Sequence, residues 1–308
     1  MKKIFTTIVL ASLYFLSACS FVSEVITPSA VPVSESTFTP IPAQTLLPES
    51  ISTLTPTPVV WPTDFSPVLY GGNVYGTPFF LLLGGVSREV WLAPEMSVAR
   101  YAGEATYSLH SLTQHDKYFL WGKSPEFIPT CQGYSIGTDA GLEESGFVAV
   151  FDGWTTTKRD VTELSADGEY YQQAVLNWLE AEGVASPQLG VMHTFLVDLE
   201  GDGVDEIFIS AARLDDSQHT TKAGDYSIIL MRKVAGNDVV TIPVVADIYR
   251  SKDLEITYPR TYTLANFIDL NQDDSLEVVV EIRQWEKFGA TVYQIDGDDV
   301  IQTLRADC

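Results

Sequence analysis

Positive charge is what this chain has least of: 18 Lys and Arg stand against 41 Asp and Glu, for a formal net charge of −23. An acidic excess of that size repels phosphate backbones and anionic headgroups, and no Lys/Arg cluster reverses it locally. Nucleic acid is therefore not an expected partner, whereas divalent cations are natural ones. Histidine is nearly as scarce. His110, His115, His193 and His219 show no H-E-x-x-H or comparable ligand spacing, which argues against zinc chemistry. Three cysteines allow one intramolecular pair at most. No run reaches the ~20 apolar residues that a membrane-spanning helix needs. Because 45% of residues are hydrophobic and only 19% charged, the acidity does not make the chain a disordered tail, and it can bury a sizeable core.

What is present begins with residues 1–19. Lys2 and Lys3 precede an apolar run from Ile4 to Leu16, which closes on Leu16-Ser17-Ala18-Cys19. A charged start, a short apolar centre and a small-residue end make a secretory signal. The stretch resembles the signal of bacterial lipoproteins, whose lipobox ends in a cysteine that is acylated before the preceding bond is cut. The resemblance implies removal of residues 1–18, lipidation of Cys19, and an extracytoplasmic protein held at the cell membrane or cell surface by its lipid. At about 0.8 kcal/mol per buried CH₂, several acyl chains anchor firmly. An ordinary cleaved signal or an uncleaved anchor are the other readings, and all of them export the chain. Once Cys19 carries lipid, Cys131 and Cys308 remain as an even pair. Outside the cytoplasm such a pair suggests a disulfide, with two free or buried thiols as the alternative.

Residues 19–62 form a tether. From 20 to 62 there are 8 of the 16 prolines, 14 Ser or Thr, and no Gly, Lys or Arg, a composition that favours solvated polyproline-II conformations over a core. Beyond Trp61 the texture changes to apolar runs bounded by Gly, Asp, Asn and Pro. Strands are predicted at 79–83, 89–92, 118–121, 147–151, 194–197, 206–210, 226–232, 239–245, 262–267, 277–282, 291–295 and 300–304. One helix is predicted between Ser165 and Gly183, where Tyr171, Ala174, Val175, Trp178 and Leu179 recur at helical spacing, with Ser165 or Asp167 as cap. It divides the folded part into a β-rich region, 63–163, and a helix-plus-β region, 164–308. Within the latter the order of strand, acidic loop, two strands, a Gly-containing turn and a fourth strand occurs twice.

The first acidic loop reads Asp198-Leu-Glu200-Gly-Asp202-Gly203-Val204-Asp205-Glu206, with side-chain oxygens at positions 1, 3, 5 and 9, glycine at 6 and the Val204 carbonyl at 7. Calcium takes six to eight oxygens at about 2.3–2.6 Å, and alternate residues of a tight loop can supply them. The second loop, Asp269-Leu-Asn271-Gln-Asp273-Asp274-Ser275-Leu-Glu277, repeats the oxygens but puts Asp274 at the bend. Both loops resemble those of FG-GAP and VCBS-type repeat proteins, integrin-like propellers included, where a structural calcium ion couples two strands. That resemblance implies a mainly β (α+β) fold of antiparallel sheets. Its elements are two propeller-blade-like calcium-loop units and one packed helix, in an open or sandwiched arrangement, since two units cannot close a propeller. A solvated acidic connector is the alternative for either loop. The Asp296-Gly297-Asp298-Asp299 turn reads as a hairpin.

Catalytic signals are weak. Gly133-Tyr134-Ser135-Ile136-Gly137 matches the G-x-S-x-G elbow in letters, but no strand-to-helix context surrounds it. Trp121, Trp154 and Trp285 are candidate stacking surfaces for a carbohydrate, although most such aromatics are core residues. The expected function is that of a lipid-anchored extracytoplasmic binding or interaction module, with structural calcium and a carbohydrate or protein ligand. Exported hydrolases acting on polysaccharide or peptide, and purely structural envelope components, are the rival classes.

Overall fold

Val, Ile, Phe and Tyr between Gly, Pro and Asp punctuation favour strands along almost the whole chain after the tether. The computed structural model describes residues 64–74, 77–101, 103–112, 118–138, 145–165, 168–214, 220–250 and 258–308. Cys19, the tether, His115, His219 and Asp167 lie outside the described residues.

The first half contains β1 (Ser66–Val74), β2 (Thr77–Ser87), β3 (Val90–Leu92), the one-turn helix α1 (Pro94–Val98), β4 (Ala105–His110), β5 (Tyr118–Ile128), β6 (Gly133–Thr138) and β7 (Ser145–Phe151). These strands pair antiparallel in the order β1-β7-β4-β5-β6-β2, and β2 pairs back onto β1, so six strands close a barrel with β3 appended to β2. Alternate residues face in and out. Phe65, Leu69, Phe80, Leu82, Tyr107, Leu120 and Ile136 fill the interior, while Val68, Tyr70, Leu81, Leu83, Val148 and Val150 face outward onto another layer. Gly71 has to be glycine here, since a Cβ would collide with the Phe79 carbonyl oxygen on the neighbouring strand.

The second half contains β8 (Thr162–Leu164), α2 (Glu169–Ala181), β9 (Val191–Val197), β10 (Glu206–Arg213), β11 (Asp225–Ala235), β12 (Asp238–Tyr249), β13 (Thr261–Ile268), β14 (Glu277–Gln284), β15 (Lys287–Asp296) and β16 (Asp299–Asp307). They form two antiparallel sheets, β12-β11-β10-β9-β8 and β13-β14-β15-β16. Each contains a four-stranded meander whose first connection is one of the acidic loops. Two-residue hairpins at Gly236-Asn237 and Gly297-Asp298, both with glycine at positive φ, join the last two strands of each meander.

Four layers stack. Val175 and Leu179 of α2 pack on Ile209, Ala211, Ile228 and Leu230 of the five-stranded sheet. Its opposite face sends Phe195, Phe208, Ile229 and Met231 against Tyr262, Leu264, Phe267, Val278 and Val280 of the four-stranded sheet, with the Phe208 and Phe267 ring centroids 4.7 Å apart. The four-stranded sheet then turns Ile268, Val279, Ala290 and Val292 onto the outside of the barrel. There the Tyr70 hydroxyl donates to Glu281 Oε2 at 2.6 Å. Sheets covered on both faces explain why β11 and β14 read as continuous apolar runs where a one-sided sheet would alternate.

The molecule is mainly β and is not a propeller, but it is not simply open or sandwiched either, because the barrel closes. Nor is there a single helix, since α1 precedes α2. The barrel was hard to foresee because β1 and β6 are punctuated by Gly71, Gly72, Gly133 and Gly137, which break the period-2 pattern. Helix α2 starts without a side-chain cap, on Gly168, whose N–H donates to the Ser165 carbonyl at 3.4 Å. It ends as expected on Gly183, at φ 87°.

Candidate functional site

The second acidic loop hangs between the buried Leu270 and Leu276, whereas the first is anchored by the buried Leu199 alone and leaves Val204 and Asp205 exposed. In the first loop Asp198 Oδ1 accepts from the N–H groups of Gly201 at 2.7 Å and Asp202 at 3.1 Å, and Oδ2 accepts from Gly203 at 3.0 Å. In the second, Asp269 accepts from Gln272 at 2.6 Å and Asp274 at 3.3 Å. Glu206 accepts the Leu199 N–H at 2.8 Å, just as Glu277 accepts the Leu270 N–H at 2.7 Å. Asp202 accepts from Val204 at 2.8 Å, and Asp273 from Ser275 at 2.9 Å. Positions 4 and 6 are left-handed in both: Gly201 and Gly203 at φ 75° and 84°, Gln272 and Asp274 at φ 67° and 69°. The second loop holds two non-glycine residues in a conformation that costs each of them about 1 kcal/mol or more. Two sequences that diverge at the bend thus keep one backbone shape.

Arg159 was invisible to sequence reasoning. It donates through Nη1 to the Asp198 and Leu199 carbonyls at 3.2 and 2.7 Å, and through Nη2 to the Asp274 carbonyl. The Leu276 N–H also donates to the Leu199 carbonyl at 3.0 Å, so the two loops touch directly. Around them runs the segment after the barrel. Trp154 donates from Nε1 to the Leu270 carbonyl at 2.9 Å, and the Asp269 N–H donates to the Thr157 carbonyl at 3.1 Å. Arg159→Ala should strip three carbonyls of a charged donor and lower unfolding free energy by about 2 kcal/mol. Urea titration will measure it; Arg159→Lys should recover under half, because one ammonium cannot span carbonyls on both loops.

Burial governs the carboxyls. Burial pushes Glu277 up to about 8, against the opposing Leu270 N–H bond, with Asp273 and Asp269 adding to the rise. Burial also raises Glu206 and Asp269, again opposed by the main-chain N–H groups they accept. Glu277 is fully buried, and its Oε1 has no hydrogen-bond partner. Such an orphaned oxygen, in a loop whose sequence also carries the oxygens of Asn271, Asp273 and Ser275, matches the oxygen-only donor set of a hard cation. The first loop fits less fully. Glu200 turns to Lys233 Nζ at 3.6 Å, an ammonium that also approaches Asp298 at 3.6 Å and donates to the Gly297 carbonyl at 2.6 Å. Among the described residues no three His, Cys, Asp or Glu side chains converge as a ready-made metal cluster.

Cys131 and Cys308 are joined by a disulfide, their Cα atoms 4.7 Å apart, which ties the β5–β6 turn to the end of the chain. Ser135 sits inside β6, opposite Leu81 and Glu126, and the next described element is the strand β7. His193 Nδ1 lies 3.0 Å from Glu163 Oε1 on an exposed face, and His110 is buried in the barrel wall. Trp154 is a packing residue; Trp121 and Trp285 are each 41% exposed. No helix among the described residues is long and apolar enough to cross a membrane. Comparison with protein-family models, curated proteins and solved structures finds no match to this chain.

Proposed function

We propose that this protein is a lipid-anchored, extracytoplasmic binding module whose two meanders act as blade-like units of the FG-GAP/VCBS kind, each stiffened by a calcium loop. The observation that supports it best is the shared backbone of the two loops, left-handed at positions 4 and 6 in both, even where Gln272 and Asp274 replace glycine. Random acidic connectors have no reason to retain a strained shape twice. Asp198, Glu200, Asp202, the Val204 carbonyl and Glu206 would hold one ion; Asp269, Asn271, Asp273, Ser275 and Glu277 would hold the other. When bound, calcium supplies charge neutralisation and cross-linking of loop to strand, without chemistry on a substrate. The chain's own residues do the rest: Arg159 locks the loops to each other, and Lys233 competes for Glu200, which weakens the first site. The sequence of residues 1–19 supports lipidation at Cys19, and the Pro-rich tether supports display away from the membrane.

Calcium at about ten times its dissociation constant should stabilise the fold by about 1.4 kcal/mol per site, raising the melting midpoint by roughly 3–6 °C. Asp202→Ala and Asp273→Ala should each remove part of that rise in differential scanning calorimetry. Identical midpoints in calcium and in chelator reject the calcium reading. For the anchor, Cys19→Ala should abolish incorporation of labelled fatty acid, and labelling that persists in this variant excludes lipidation at that residue.

A further inference from the structure

The acidic loops and the Gly236 and Gly297 hairpins lie at one end of the two meanders, and the opposite end carries a pocket. There the end of β12 faces the start of β13, the end of β14, the start of β15 and the end of β16 across a pocket of about 430 Å³, a size that suits one small ligand. Three of the chain's 18 basic residues line it: Arg260, Lys287 and Arg305. In a protein of net charge −23 that concentration calls for a cause.

Charge accounting narrows the ligand. Arg260 is committed to Asp247, through Nε to Oδ2 at 2.8 Å and Nη2 to Oδ1 at 3.1 Å, and Asp247 also accepts from the Tyr262 hydroxyl at 3.0 Å. Arg305 Nε stands 3.6 Å from Asp307 Oδ1. Lys287 makes no ion pair among the described residues, which leaves the pocket one positive charge to spare. Asp247 and Asp307 would repel a multiply charged phosphate yet can accept from hydroxyl groups. Tyr249 and Tyr258 supply aromatic surface for the C–H face of a ring, and Tyr258 is held at φ 45°, a strained setting for an aromatic residue. Trp285, also exposed, belongs to the short turn between Gln284 and Lys287, both of which line the pocket.

From these features we propose that this pocket binds a uronic-acid saccharide, its carboxylate paired with Lys287, its hydroxyls on the Asp247 and Asp307 side, and its ring against the tyrosines. The inference gives the binding-module reading a ligand class and rests on it.

The test is calorimetric titration of the full chain with methyl galacturonoside, which carries a single carboxylate, its methyl ester and an alanine dipeptide, at fixed calcium. The acid form should bind, with the neutral ester at least about tenfold weaker. Lys287→Ala should weaken the acid about tenfold and Tyr258→Ala about fivefold, both with unchanged melting midpoints. Absence of heat at 10 mM acid, equal binding of the ester, an unaffected Lys287→Ala, or tighter binding of the dipeptide would each overturn the proposal. The calcium-dependent melting shift of the same sample reports on the loops alone, so a failed titration and a failed calcium reading remain distinguishable.

Discussion

Removing the Cys131–Cys308 disulfide, by reduction or in a Cys131→Ser/Cys308→Ser variant, should lower stability by about 2–5 kcal/mol. The bridge spans a sequence separation of 177 residues, so it excludes a large share of unfolded conformations. It adds a covalent tie to two layers that already share a buried apolar core. Cys308 is already paired to β15, exchanging N–H and carbonyl bonds with Phe288 at 2.7 Å each. The covalent link therefore fastens the four-stranded sheet to the β5–β6 turn of the barrel. Scanning calorimetry with and without reductant should show a drop of roughly 5–15 °C for a domain of this size. An unchanged midpoint after complete reduction, checked by thiol titration, would mean that the shared core outside the barrel restrains the chain without help.

The second large effect is on pH dependence. In the absence of calcium, Glu277 titrates near 8 in the folded protein against 4.5 for the free side chain. Between those values the folded state holds a proton that the unfolded state has lost, so its contribution is fully present below 4.5 and is lost as pH rises toward 8. From 4.5 to 7, at about 1.4 kcal/mol per pH unit, the loss comes to about 3 kcal/mol. The upward shifts of Glu206 and Asp269 act in the same direction. Urea melts in chelator should therefore show stability falling from pH 5 to pH 8, and Glu277→Gln should flatten most of that slope. Under the calcium reading proposed above, added calcium should oppose it, because cation and proton would compete for the same carboxylates. If wild type and Glu277→Gln in chelator keep parallel pH profiles, the orphaned oxygen is not the source of the dependence.

The meanders were legible because their information is local. Each apolar run, each of the Gly236 and Gly297 turns and the alternate oxygens of each loop is contained within about a dozen residues, and backbone preference sets its shape directly. The repeated order of elements in 190–304 predicted two four-stranded units; the structure has one four-stranded sheet and one five-stranded sheet, to which β8 is added. Helix α2 was found by its spacing and by Gly183, while its cap was misassigned, because Gly168 leaves the first turn without a side-chain acceptor.

By itself, the amino-acid sequence determined the strand-rich character, the helix α2, the hairpins, the two loops with their shared oxygen pattern, and the acidity of the chain. Only tertiary structure decided that β2 returns to β1 and closes a barrel, and that Arg159 spans both loops. It likewise decided that Glu200 turns to Lys233, and that Arg260, Lys287 and Arg305 meet in one pocket. The reason is physical. Hydrogen bonding and hydrophobic periodicity act between near neighbours and can be read along the chain. Contacts between residues scores of positions apart depend on which sheet faces are buried together, and that is settled by packing all four layers at once.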